Sequence, residues 1–216
     1  MKSRHRLVIF DLDGTLAEPK SGWVYFHSIL GTDGMSKNSE NLYFSGKITW
    51  EEWAERDVKL WAGTKLEKVY AAAKSCPLTP GAEAMVDSLR KAGYQMAIIS
   101  AGLHLIGKEV ANKLGISRVY ANELVGDGEA LTGKVKVRVT ATNKHEILRD
   151  LLRELGMEPS EVVAVGDDFT MIPLFKMVDL SIAYNPLNAA VEENANVVVK
   201  DRNLTSILPY IIGSDG

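Results

Sequence analysis

Cysteine is nearly absent from this sequence: Cys76 is the single one. One thiol cannot build an internal disulfide framework, so the fold must rest on its apolar core. Long apolar runs are missing as well. No segment reaches the length needed to span a bilayer. The basic N-terminus from Met1 to Arg6 is followed by an apolar run too short for a signal peptide, and that run ends at Asp11. No basic run occurs and the net charge is −3, so nucleic acid and anionic membranes are not expected as partners. His5, His27, His104 and His145 show no metal-ligand spacing. There is no internal repeat and no low-complexity tract, and no residue pattern specifies an oligomeric state. What is left, with 46% apolar and 25% charged residues among 216, is an ordinary globular chain. It is one sizeable domain, or a domain with an insertion, expected in the cytoplasm.

Against that background one stretch stands out: Leu7-Val8-Ile9-Phe10-Asp11-Leu12-Asp13-Gly14-Thr15-Leu16. The apolar run reads as a strand buried on both faces, as in a parallel sheet. Ligands of open α/β sheets gather at the carboxyl ends of such strands. Residues two apart in extended chain point the same way, so Asp11 and Asp13 can face one site, and Gly14 lets the chain turn away. Two adjacent carboxylates need a cation or a shared proton, and a divalent metal is the first expectation. A calcium loop does not fit, because it wants glycine sixth and glutamate twelfth, where this chain has Gly14 fourth and Gly22 twelfth. A sugar-nucleotide transferase, which also places D-x-D after an apolar strand, stays open on this stretch alone.

Residues 17–76 have a different texture. All the tryptophans lie here: Trp23, Trp50, Trp53 and Trp61. Thr49 to Leu60 reads as a helix, with Thr49 as N-cap and Glu51 and Glu52 in its first turn. Trp50, Trp53, Ala54, Asp57 and Trp61 fall near one of its faces. Further helices are expected over Trp23 to Leu30 and Leu66 to Lys74. The region reads as a small helical insertion, and insertions after a catalytic strand commonly serve as substrate lids. From residue 77 onward helices and strands alternate. Strands are expected over Tyr94–Ser100, Arg118–Asn122, Glu161–Gly166, Leu180–Tyr184 and Asn196–Val199. A β-hairpin excursion is expected between Asn122 and Val139. Helices are expected over 82–92, 103–114, 144–155, 187–194 and 204–211. The pattern implies a Rossmann-like α/β core, a parallel sheet with helices on both faces, made of residues 1–16 and 77–216.

Three strands then end in polar residues suited to one site: Asp11 and Asp13, Ser100, and Asp167 with Asp168. Parallel strands bring these ends to one edge. The Ser100 hydroxyl and the N–H groups after it suit an anion. Lys144 opens a helix, electrostatically the wrong end for a cation, which makes sense if it neutralises a phosphate or a carboxylate. Carboxylates for a metal, with a hydroxyl, N–H donors and a lysine for an anion, make a phosphoryl-transfer site. Asp11 is then the nucleophile, giving an aspartyl-phosphate, and Asp13 the acid and base. A sugar-nucleotide transferase does not account for Ser100, Lys144 and Asp167 together.

With these residues in place the chain resembles the haloacid dehalogenase-like phosphatases, in their phosphoserine phosphatase-like branch. The motifs appear in order: D-L-D-G-T-L from Asp11, S-A-G from Ser100, Lys144, and G-D-D-F-T-M from Gly166. The wording G-K-I-T-W-E-E-W in the insertion, T-P-G-A and L-T-G-K are similar too, so the resemblance covers nearly the whole chain. It implies a Mg²⁺-dependent phosphomonoesterase for a small phosphorylated metabolite. Asp11, the Asp13 backbone carbonyl and Asp167 would hold Mg²⁺. Ser100 and the Ala101 N–H would hold the phosphoryl group, with Lys144 beside Asp11.

Two departures bear on function. The last motif usually reads G-D-x-x-N-D, and Thr170-Met171 stands where Asn-Asp is expected, with Asp168 as a candidate metal support in its place. The branch also uses a lid arginine, six residues before a glycine, to bind the serine carboxylate. Counted back from Gly63 that place holds Asp57, with Arg56 one residue earlier. A one-residue shift on a helix turns a side chain by about 100°. Glu18 and Arg56 are the candidate substrate-binding residues. The missing Met171 carboxylate also allows a second reading, a weakened or inactive member that binds a phosphometabolite in a regulatory role.

Overall fold

A computed structural model of the chain describes residues 5–213; the basic residues 1–4 noted above lie outside them. In chain order the elements are β1 (Leu7–Phe10), α1 (Gly22–Leu30), α2 (Asp33–Phe44), α3 (Trp50–Lys59), α4 (Leu66–Lys74) and α5 (Ala82–Lys91). Then come β2 (Gln95–Leu103), α6 (His104–Leu114), β3 (Arg118–Gly126), β4 (Leu131–Lys136), α7 (Lys144–Leu155) and β5 (Val162–Gly166). The chain finishes with α8 (Ile172–Phe175), β6 (Leu180–Tyr184), α9 (Ala189–Glu193), β7 (Val197–Val199) and α10 (Leu208–Ile212). The sheet order is β4-β3-β2-β1-β5-β6-β7. Every neighbouring pair is parallel except β3 with β4, the hairpin at the edge.

The residues of β1 show why the sheet is covered on both sides. Val8 and Phe10 enter one apolar layer, packed with α5, α6 and the insertion. Leu7 and Ile9 enter the other, packed with α7 and α8. All four are completely buried, as the unbroken apolar run requires. β1 lies between β2 and β5, so Asp11, Ser100 and Asp167 emerge side by side at one edge.

Most boundaries fall where the sequence puts them, and three differ. Helix α2 is not expected from its sequence, which carries Gly34, Asn38, Asn41 and two serines; only Ser39 along it is buried, so it has almost no apolar stripe to read. The short strand at Arg118 runs unbroken into the hairpin as one nine-residue strand. Strand β2 continues past Ser100 to Leu103, its register with β3 shifting between Ile99 and Leu103, so the S-A-G stretch is irregular extended chain ahead of α6 rather than the helix start itself.

The insertion is held by local signals and by the hairpin. Thr49 and Glu52 form a complete capping box at the start of α3. Ser21 caps α1 through Val24 N–H, and Gly31 ends it in the left-handed conformation. The β3–β4 hairpin then bonds back to the end of α3: Gly63 N–H donates to Leu131 O at 2.8 Å, and Leu131 N–H to Thr64 O at 2.9 Å. Among the described residues no helix is long and apolar enough to cross a membrane.

Candidate active site

The edge where β1, β2 and β5 end forms the floor of a cavity of about 240 Å³, roofed by α1, α2 and α3. Asp11, Asp13, Ser100, Ala101, Lys144 and Asp168 all line it. Asp11 is buried, its Oδ1 accepting from Leu12 N–H at 2.7 Å and its Oδ2 from Lys144 Nζ at 2.5 Å. Lys144 is wholly buried at the first residue of α7. Its position at the positive end of a helix is therefore a matter of charge pairing with Asp11 across the fold. The second contact of its Nζ is Met171 Sδ at 3.3 Å. A thioether, a weak acceptor without charge, stands where the resembling motif carries a carboxylate.

Close packing of glycine lets the carboxylates converge. A Cβ on Gly102 would lie 2.5 Å from Asp13 Oδ2. One on Gly14 would lie 2.1 Å from Asp167 Oδ2, and Gly14 also has a φ of +67°. Both positions admit only hydrogen. Ser100 Oγ accepts from Gly102 N–H at 3.0 Å, which folds the loop around its hydroxyl. Asp167 takes a hydrogen bond from Thr15 Oγ1 at 3.3 Å and one from Lys20 Nζ at 3.0 Å.

Burial governs the charges here. It pushes Asp13 up to about 7, with Asp11 and Asp168 adding repulsion and a hydrogen bond from the Gly22 N–H opposing it. It pushes Asp167 up to about 8, with Asp11 adding to the rise and Lys20 opposing it. Asp11 is also raised by burial, against the pull of Lys144. Near neutral pH Asp13 can therefore hold or release a proton, which is what an acid–base group needs. Its Oδ1 is buried and has no protein partner.

The donor set suits a hard divalent cation. Asp11, Asp167 and the Asp13 carbonyl offer oxygen only, and the crowded carboxylates Asp11, Asp13, Asp167 and Asp168 outnumber the two lysines, Lys144 and Lys20, that pair with them. Among the described residues no three His, Cys, Asp or Glu side chains form a closed metal cluster. An all-oxygen set with so few protein donors would suit a hard cation that keeps part of its hydration, such as Mg²⁺. Asp168 points elsewhere with one oxygen: Oδ1 accepts from Thr170 N–H at 2.9 Å and from Thr170 Oγ1 at 2.6 Å, capping the short turn that follows.

Several residues that build this site have no motif to announce them. Asn122 is fully buried and makes four hydrogen bonds. Its Nδ2 donates to Ala101 O and Val139 O, each at 2.8 Å, and its Oδ1 accepts from Arg138 and Val139 N–H. It thus ties the Ser100 loop to the segment that delivers Lys144. Trp23 donates to the same Ala101 carbonyl at 3.1 Å, joining the insertion to the loop. Lys20 is the third. The only sequence signal for Asn122 is its place at a strand end, and a lysine in a turn or a tryptophan in a helix gives none.

At the roof, Trp23, His27, Phe44, Trp50, Trp53 and Asp57 face the cavity. Asp57 is buried and its Oδ2 lies 3.2 Å from His27 Nε2. Arg56 and Glu18 are exposed and do not line the cavity. Phe44 at the end of α2 meets Phe169 of the sheet end edge to face at 6.4 Å, closing the rim.

Comparison with known proteins agrees with this geometry. The family model for haloacid dehalogenase-like hydrolases matches residues 5–179. A phosphoserine phosphatase of Methanocaldococcus jannaschii is 30% identical over 98% of this chain and 100% of its own. One from Lactococcus lactis is 30% identical over 95% and 94%. Among solved structures, one described as a phospho-aspartyl intermediate analogue of phosphoserine phosphatase superposes with a TM-score of 0.84 at 31% identity, covering 97% of this chain and all of the other.

Proposed function

Since the chain belongs to the haloacid dehalogenase-like hydrolases, as a phosphatase of their phosphoserine phosphatase-like branch, we propose that it is a Mg²⁺-dependent phosphomonoesterase working through phospho-Asp11. The observation that carries the reading is the Asp11–Lys144 pair, a nucleophile fixed by a wholly buried lysine at the mouth of the Ser100 loop. In this reading the substrate phosphoryl group lies against Ser100 Oγ and the Ala101 N–H. Asp11 attacks phosphorus in line as Asp13 delivers its proton to the departing alkoxide oxygen. Asp13, now a base, takes a proton from the water that attacks phospho-Asp11, and inorganic phosphate leaves. Lys144 balances the charge on Asp11 in the resting state and on the phosphoryl oxygens as they approach. Mg²⁺, held by Asp11, Asp167 and the Asp13 carbonyl, would neutralise the phosphoryl oxygens. The α1–α4 insertion acts as the lid that excludes water and meets the leaving alcohol.

The test is hydrolysis of p-nitrophenyl phosphate with and without Mg²⁺. Asp11→Asn is expected to lower turnover at least ~10³-fold, because no covalent intermediate can form. Full activity in that variant, or no hydrolysis by the native protein, overturns the reading; binding of phosphate esters without turnover would instead favour the regulatory role.

A further inference from the structure

The floor of the cavity is claimed by the phosphoryl group, and the roof raises a separate question: what chemistry it would accept. His27 Nε2, 3.2 Å from Asp57 Oδ2, is buried there without a formed hydrogen bond, and three further polar atoms have no protein partner, Trp50 Nε1, Trp53 Nε1 and Asp57 Oδ1. These three are two donors and one acceptor. Their side chains, with Trp23 and Ala54, line a recess of about 10 Å³ opening behind the main cavity wall. That is close to the space of a single oxygen atom with its hydrogens.

The neighbouring charges narrow the choice. Asp57 and Glu40 are the acidic side chains on this side of the cavity. Its lysines are engaged at the floor, Lys144 with Asp11 and Lys20 with Asp167. His27 is engaged as well. Its Nε2 lies 3.2 Å from Asp57 Oδ2 and its Nδ1 2.7 Å from Thr32 Oγ1, a hydroxyl that also accepts from Trp61 Nε1–H at 3.1 Å. A carboxylate on the leaving group would find no lysine or arginine at the roof and would face Asp57. An ammonium would satisfy Asp57 but can accept nothing from the indole N–H groups. A hydroxyl does both, accepting from indole and donating to carboxylate, and the carbon skeleton beside it can lie on the tryptophan faces.

Resting on the phosphatase reading, we propose that the leaving group is a short uncharged polyol or sugar, recognised through a hydroxyl seated among Trp50, Trp53 and Asp57. Sites built to pair a substrate hydroxyl discriminate strongly against esters that cannot supply it.

The test compares kcat/KM, with Mg²⁺ present, for glycerol phosphate, a hexose 6-phosphate, O-phosphoserine, O-phosphoethanolamine and p-nitrophenyl phosphate. At least one of the first two is expected to exceed phosphoserine and phosphoethanolamine by ~10-fold or more. Trp53→Phe keeps the ring and removes the N–H; it is expected to raise KM for the preferred ester several-fold with a smaller change in kcat. Asp57→Ala should lower the ratio of polyol-ester to aryl-ester kcat/KM by ~10-fold. If phosphoserine or phosphoethanolamine leads while the aryl ester is hydrolysed, this proposal falls and the phosphatase reading stands. If Trp53→Phe shifts KM equally for all the esters, its role is packing and the proposal falls. If no ester, the aryl one included, is turned over, the phosphatase reading fails and takes this proposal with it.

Discussion

At the sheet end of the cavity, Asp11, Ser100, Lys144 and Asp167 each hold a protein partner and Asp13 Oδ1 is the atom left over, while at the insertion end Trp50, Trp53 and Asp57 each keep a buried atom with none. The floor is built from strand ends buried in two apolar layers, and its polar groups are preorganised by one another. The roof is built from helices whose aromatic side chains pack well and whose polar tips are left over. The difference fits a division of labour. Every phosphate ester presents the same phosphoryl group, so most of the floor can be fixed in advance. The alcohol differs between phosphate esters, and on the leaving-group proposal the roof is finished by the molecule it binds.

The most damaging way to probe the contrast is to loosen the floor. Met171 is fully buried in the layer beneath α7, touches Lys144 Nζ through sulfur, and packs so closely on Gly166 that a Cβ there would lie 2.4 Å from it. Met171→Ala removes a large side chain from a site with little room to collapse. A loss of about 2–5 kcal/mol is expected in urea unfolding, with lower turnover as Lys144 gains freedom. A loss below about 1 kcal/mol would mean the floor is not the rigid half.

A gentler cut tests the roof. Phe44 is 62% exposed; its ring meets Tyr43 and Trp53 within the insertion and Phe169 across the rim. Phe44→Ala is expected to change stability by no more than about 1 kcal/mol, since most of the ring is already in water. The same variant should raise KM several-fold, because the edge contact with Phe169 is where insertion and core meet over the cavity. Equal losses of stability in Phe44→Ala and Met171→Ala would erase the distinction between the two ends.

The same contrast explains what could be read from sequence. The floor was legible because its chemistry sits at strand ends: an unbroken apolar run followed by a polar residue predicts both the strand and the place where its side chains gather. Asp11, Ser100 and Asp167 meet there as expected, and Lys144 is explained by the pairing that its helix position hinted at. Asn122 was not legible as a site residue, because its role is four hydrogen bonds to backbone groups that only the fold brings together. In the roof, the face of α3 was foreseen from its period, with Trp50, Trp53 and Asp57 together. Helix α2 was not, since a surface helix with one buried residue leaves no periodic signal. The pairing of Asp57 with His27 needs two helices to be placed side by side, and spacing within one helix cannot supply that.

The smallest expected effect is at the seam between the two ends. Cys76 lies where the chain returns from α4 to the core, 1% exposed, with Lys113 Nζ donating to its carbonyl at 3.2 Å. Burial pushes its thiol up to about 12, with Asp13 adding to the rise and Lys113 opposing it. At pH 8 only roughly one thiol in ten thousand is then ionised, and the thiolate is the species that alkylating agents meet. Native protein should therefore stay unlabelled by iodoacetamide at pH 8 over a period in which urea-unfolded protein is fully alkylated, as read by mass spectrometry. Rapid labelling of the native form would show that the seam opens and exposes Cys76 to solvent. The incomplete roof would then belong to a lid caught in one of several positions, and its unpartnered atoms would follow from lid motion rather than from the substrate.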